Sequence, residues 1–267
     1  MKNIVLLCHE DAGQESRFQV ALDLARALEG HLTCLDVVVP PPPLINDYVA
    51  TAAIATITAD AIALERDNRT RLTARLTRDD VPWSWIDATG DISACVAEGA
   101  ALADVIVVSR RLDDEPLPDM RGIAGELIVK SGKPVLAVPP SAQRLDLSRA
   151  LIAWDGSSTA AAALRAAVPL LKLADTVTIL QVGEGDGPEP AQDAARYLAR
   201  HGMQPEILLA KGDRAAVPGV IAAHAASGRF DYLVMGGFGH RRFVEALFGG
   251  VTRTMLTEAT IPVFMAH

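Results

Sequence analysis

Short apolar runs alternate with longer stretches in which apolar positions recur every three or four residues. That is the signature of buried strands and amphipathic helices taking turns. Asn3 to Cys8 reads as a first strand. A helix follows from Gln14 to about Glu29, with Phe18, Ala21, Leu22, Ala25 and Leu28 at helical spacing and Gly30 as its stop. Leu32 to Val39 is a second strand, leaving through Pro40 to Pro43, a stiff segment that cannot join a sheet interior. Tyr48 to about Thr77 is one long helical pattern, charged in its second half. Strands are predicted at Trp83 to Thr89, Asp104 to Ser109 and Pro134 to Val138, with helices at Ile92 to Leu102 and Ile123 to Ser131.

Pro139 to Ser148 reads as a polar linker, after which the pattern begins again. Ala150 to Trp154 is a strand, followed by Asp155-Gly156-Ser157 and an alanine-rich helix from Ser158 to Leu173. Ser157 or Ser158 is a good N-cap, and Pro169 predicts a kink or a shifted boundary. Strands at Thr176 to Val182, Pro205 to Ala210, Tyr232 to Met235 and Ile261 to Ala266 enclose helices at Pro190 to His201, Val217 to Ala226 and Val251 to Leu256. The halves answer one another: Gly90-Asp91 and Gly212-Asp213, Ala103 to Val108 and Phe230 to Met235, Lys133 to Leu136 and Ile261 to Phe264. Such self-similarity predicts an α/β protein of two tandem Rossmann-like doubly wound domains, residues 1–140 and 149–267. Each is a five-stranded, mostly parallel sheet flanked by helices, with ligands at the carboxyl ends of the strands. Both final strands suit edge pairing, which would join the domains about a pseudo-twofold axis; a further homodimer is also expected.

Half of the 267 residues are apolar and few are aromatic, which suits helices packed on a parallel sheet. A net charge of −8 argues against sequence-independent nucleic-acid binding. Cys8, Cys34 and Cys95 form no CxxC and suggest a reducing, cytoplasmic setting. The N-terminal apolar run meets His9, Glu10 and Asp11 at once, so it reads as a strand rather than a signal peptide. Tyr48 to Ala59 is too short to span a bilayer.

The chemistry concentrates between Asp231 and Thr254. A buried strand breaks into Gly236, Gly237, Phe238 and Gly239, crosses the basic His240-Arg241-Arg242, and reaches Gly249-Gly250 before a helix. Glycines at a strand end and a helix start let backbone N–H groups gather around an anion, and the helix start adds unpaired donors. An isolated glycine pair is more often a turn or a cap. The spacing Gly-x-x-Gly, nine residues, Gly-Gly favours a phosphate cradle. The first half has Ser109 and Leu112 where the second has Gly236 and Gly239, an acidic Asp113, Asp114, Glu115 and Asp119 before its helix, and about Cys8 or His9 where the second has Asp155. It keeps the fold and has lost the cradle.

At these residues the chain resembles a tandem member of the universal stress protein family. Its nucleotide motif, Gly-x-x-Gly, nine residues, Gly, then Ser or Thr, matches at Gly236, Gly239 and Gly249. Ala153 to Ser157 is similar to the family's first strand and Asp-Gly-Ser turn, and Ile261-Pro262-Val263 to its last strand. The resemblance implies binding of ATP, ADP or AMP, with or without Mg²⁺, in the second half of a stress-response protein. It places Asp155 beside the ribose or adenine and the Val182 backbone against adenine. Gly236 and Gly239 would pass under the ribose and α-phosphate, with Gly249 at the outer phosphates. One departure is clear: the Ser or Thr after the last glycine is Gly250 here, and Thr252 is the nearest substitute.

Other constellations carry less. Cys8-His9-Glu10-Asp11 has metal-ligand types, but strand neighbours point to opposite faces. Asp213 is expected to cap the following helix. There is no Walker lysine motif, GxSxG or HExxH, so no catalytic residue and no metal ligand is assigned. The expected protein is a nucleotide-binding regulator with unidentified protein partners. A slow ATP hydrolase, or a scaffold that binds no nucleotide, are the alternatives.

Overall fold

A computed structural model describes residues 1–40, 48–112, 118–183, 190–238 and 250–267, with only the backbone of 48–55. In the first half the elements are β1 (Asn3–Leu7), α1 (Gln14–Leu28), β2 (His31–Val38), α2 (Tyr48–Leu76), β3 (Trp83–Thr89), α3 (Ile92–Gly99), β4 (Val105–Ser109), α4 (Met120–Lys130) and β5 (Val135–Val138). The second half repeats them as β6 (Arg149–Ala153), α5 (Ser158–Leu171), β7 (Thr176–Val182), α6 (Ala191–Arg200), β8 (Glu206–Ala210), α7 (Val217–Ala225), β9 (Tyr232–Gly236), α8 (Gly250–Glu258) and β10 (Val263–Ala266).

The strands make one ten-stranded sheet in the order β3-β2-β1-β4-β5-β10-β9-β6-β7-β8. Within each half all pairings are parallel. The single antiparallel contact is β5 with β10, where Leu136 faces Phe264 and Ala137 faces Val263. Five strands, a reversal and five strands in mirror order are the pseudo-twofold arrangement expected from the repeat. Helices cover both faces, so the central strands are apolar throughout: Val105 to Val108 are all buried, as are Tyr232 to Met235. The two apolar layers run unbroken through both halves. One gathers Phe18, Leu136, Leu164 and Phe264, the other Val96, Leu127, Leu256 and Met265.

The tandem copies differ most at α2, which is 29 residues long against 10 for α6. Its second part docks. Glu65, Asn68, Leu72 and Leu76 recur on one buried face, whereas Ile57, Ile62 and Leu64 stand exposed. The 139–148 linker lies against α1 instead of running free. Ser16 Oγ donates to the Pro140 carbonyl at 2.6 Å, and the Leu145 N–H donates to Asp23 Oδ2 at 2.9 Å. α5 continues through Pro169 and ends at Leu171, so the proline shortens the expected helix rather than halting it on the spot. Ser157 is its N-cap, accepting the Ala160 N–H at 3.2 Å. Asp213 acts before α7 rather than as its cap: its carboxylate accepts the Ala216 N–H, and the helix opens at Val217 with Pro218 in its first turn.

Candidate functional site

The parallel register gathers the second half's candidate residues at one end of the sheet. Ala153 pairs with Met235 on one side and Leu180 on the other. Hence Asp155, Val182 and Gly236 all lie just where β6, β7 and β9 run out. β6 is also where connections leave in opposite directions, to β7 and back to β9, which opens a crevice at the carboxyl ends. Asp155 is half-buried there, and its Oδ1 accepts the Ser157 N–H at 2.9 Å. This short turn aims α5's first residues along the crevice. Val182 is buried, and Gly183 beyond it adopts φ 66°; a Cβ there would sit 2.8 Å from the Gly212 carbonyl oxygen. That glycine lets the ends of β7 and β8 close together.

Gly236 has a reason for lacking a side chain besides any ligand. A Cβ there would lie 2.5 Å from the Ala160 nitrogen, inside the N-terminal turn of α5. Gly237 is similar: its Cβ would come within 2.6 Å of Ile128 Cγ2 on α4 of the first half. Phe238 then takes φ 53°, a conformation costly for a side-chain residue. Its N–H donates to Thr252 Oγ1 at 3.3 Å. Thr252 is buried in the first turn of α8, so its hydroxyl accepts from the β9 exit while keeping a proton to donate. Gly250 is exposed at the first position of α8, where the helix leaves N–H groups unpaired. Gly239 and Gly249 fall outside the described residues, as does His240-Arg241-Arg242. Asp155, Val182, Gly236, Gly250 and Thr252 thus belong to one end of one sheet, and the donor types suit an anionic, hydroxyl-bearing ligand.

The equivalent place in the first half is filled by the protein itself. Arg17, fully buried, donates from Nε to the Leu7 carbonyl at 3.1 Å and from Nη2 to the His9 carbonyl at 2.7 Å. Its Nη1 donates to Asp11 Oδ1 and Ser109 Oγ, both at 2.7 Å. Ser109 ends β4 as Gly236 ends β9. Asp11, not Cys8 or His9, is the functional match of Asp155, because it too accepts the N–H two residues on, that of Gly13. The β1–α1 connection holds extra residues, so a count from the strand lands on His9 and only a count from the helix finds Asp11. Cys8 and His9 serve elsewhere. The Cys8 thiol is pushed up by burial and by the neighbouring Cys34 thiol. His9 Nδ1 sits 2.7 Å from Glu65 Oε1, and Glu10 pairs with Arg71.

Glu65 also takes bonds from Asn68 at 3.2 Å and from the Glu10 N–H at 3.3 Å. Burial and the nearby Glu65 carboxylate push Asp36 up to about 8. Among the described residues no group of three or more His, Cys, Asp or Glu is arranged to hold a metal ion, and no helix is long and apolar enough to cross a membrane. A hollow of about 170 Å³ between α3 and α4, lined by Asp91, Ser93, Glu126 and Lys130, belongs to the first half.

Three crystal structures share the architecture along their whole length. A universal stress protein from Archaeoglobus fulgidus DSM 4304 is 16% identical, with a TM-score of 0.71, over 98% of this chain and 97% of its own. A candidate universal stress protein from Pseudomonas aeruginosa UCBPP-PA14 is 18% identical, with a TM-score of 0.60, over 99% and 93%. A protein of unknown function from Pseudomonas aeruginosa PAO1 is 17% identical, with a TM-score of 0.59, over 99% and 92%. At these identities the likeness is one of fold. Comparison with curated proteins gives no match. Residues 147–267, the half that carries the glycine stretch, match the universal stress protein family. The likeness to the universal stress protein family thus rests in sequence on the second half of the chain, and the first half shares it in fold.

Proposed function

We propose that the second half binds an adenine nucleotide, AMP or ATP, as the sensing element of a stress-response regulator, and that the first half contributes structure. The observation that carries this is the convergence of Asp155, Gly236, Gly250 and Thr252 on the carboxyl end of β6 and β9, beside the start of α8. Asp155 would accept from a ribose hydroxyl, the Val182 backbone would meet the adenine edge, and Gly239 and Gly249 would bring N–H groups to the phosphates. The α8 start adds donors and a partial positive charge of about half an elementary unit. In the first half, Arg17, Asp11 and Ser109 occupy the matching volume, which leaves one nucleotide site per chain. Binding and release, rather than turnover, is the work proposed for it.

The test is mass spectrometry of the freshly purified, denatured protein for co-purified AMP, ADP or ATP, with a Gly239→Glu variant beside it. Nucleotide in the parent protein and none in the variant is the expected result. Nucleotide in neither, together with no thermal shift on adding ATP and Mg²⁺, would overturn the reading in favour of a scaffold.

A further inference from the structure

Beside the β5–β10 pairing, the first half also grips the helix that opens onto the proposed site. α8 starts at Gly250 beside the crevice and ends at Glu258. Its last carbonyls have no partner within the helix. Two of them are taken by the first half: Arg110 Nη1 donates to the Thr257 carbonyl at 2.6 Å, and the Arg111 N–H donates to the Leu256 carbonyl at 2.9 Å. Arg110 follows directly on β4, is buried, and is itself fixed by its N–H to the Val138 carbonyl at 2.9 Å and by Nη1 to the Arg111 carbonyl at 3.1 Å. A cation at a helix C-terminus is favourably placed against the helix dipole.

Among the described residues the matching position gives no such grip in return. The residue matching Arg110 in the second half is Gly237, whose N–H makes the corresponding bond to the Ala266 carbonyl. No side chain fits there, because Ile128 of α4 stands in the way. The half with the glycine stretch therefore presents a bare backbone to its neighbour, and the half without it supplies the clamp. At its other end α8 is tied to the crevice through Thr252 and the Phe238 N–H.

We propose that Arg110 is a positioning residue for the nucleotide site of the second half, holding α8 so that its first turn faces the outer phosphates. This rests on the nucleotide reading given above. A misplaced α8 withdraws donors from the β- and γ-phosphates and leaves the adenine, ribose and α-phosphate contacts in place. Loss of the clamp should then be felt by ATP and hardly by AMP.

Affinities for AMP and for ATP with Mg²⁺ are measured by calorimetry on the full chain, for the parent protein and for Arg110→Ala, Arg110→Gln and Arg110→Lys. We expect Arg110→Ala to weaken ATP by about tenfold and AMP by less than about twofold, the scale of one or two lost hydrogen bonds. Arg110→Lys, which keeps the charge and can still reach a carbonyl, should recover most of the ATP affinity. Arg110→Gln carries the same comparison if Arg110→Ala does not fold. Equal losses for both nucleotides, or unchanged affinities with a lower melting temperature, would make Arg110 a seam residue and overturn the proposal alone. A parent protein that binds neither nucleotide overturns the site reading and this inference with it.

Discussion

Gly250 is the residue at which this chain departs from the universal stress protein motif it resembles. Among the described residues, the nearest neighbour of a Cβ at Gly250 is Pro218 Cγ at 4.0 Å. Serine therefore displaces none of the described residues, and it replaces a helix-start glycine with a residue favoured there. One added neutral hydrogen bond is worth roughly 0.5–1.5 kcal/mol. We expect Gly250→Ser to tighten ATP binding by about two- to tenfold on that scale, with no loss of thermal stability. Titration of the two proteins with ATP settles it, and an unchanged or weaker affinity would mean that the α8 start does not face the phosphates. Gly236 teaches the opposite lesson at the same scale. Its missing side chain is demanded by the α5 backbone 2.5 Å away, so a glycine that looks dedicated to phosphate also serves packing.

At the scale of elements, α2 docks over a buried acidic contact. Its Glu65 meets Asp36 of β2, with His9 and Asn68 as further partners and Asp87 of β3 nearby. Desolvation, then the Glu65 charge, raise Asp36 from its ordinary 3.8 to about 8. Burial works against Glu65 ionisation too, but the His9 and Asn68 bonds outweigh it and hold that carboxyl below its usual value. The folded protein thus keeps a proton on Asp36 that the unfolded chain gives up above about pH 4. Unfolding releases it, so stability falls as the pH rises from about 4 to 8 and levels off beyond. Glu65 acts in the other window: its contribution is present above its ordinary value and is lost as pH falls through its lower folded one. Urea unfolding at about pH 5, 7 and 9 should show the decline in the parent protein and a flatter profile in Asp36→Asn, each pKa unit removed being worth about 1.4 kcal/mol. A parent profile flat over that range would refute the shared-proton account.

The elements themselves were legible in the chain because buried parallel strands read as solid apolar runs and their helices as regular stripes. β3, β7 and the start of α1 fall where the pattern puts them. What escaped were features that depend on contacts distant in sequence. Nothing in the residues around Arg17 shows that Ser109 and Asp11 enclose it. The extra residues between β1 and α1 hid Asp11 as the match of Asp155. Arg110 sits in a polar stretch, and only the seam gives it a partner. The site followed the same rule: Asp155 was readable at a motif position and Thr252 as the hydroxyl nearest the one that Gly250 lacks, whereas the bond from the Phe238 N–H to Thr252 was not.

For the molecule as a whole the decisive contact is β5 with β10. Val263, Phe264 and Met265 are buried against it, so residues 147–267 expressed alone would expose an apolar edge strand with unpaired N–H and C=O groups. An antiparallel edge can pair with a copy of itself about a twofold axis. We expect that fragment to be dimeric by light scattering at micromolar concentration, and a well-folded monomer would show that the seam contributes little to covering the edge. In the intact chain the same pairing is spared dilution. The 139–148 stretch, fastened to α1 by Ser16 and Asp23, holds the second half beside the first at an effective concentration that no ordinary level of free chains matches. Two separate copies must each remain fit to find the other and to serve alone. A tethered copy is relieved of both duties, and its crevice can be given over to a buried arginine while it still closes its neighbour's edge.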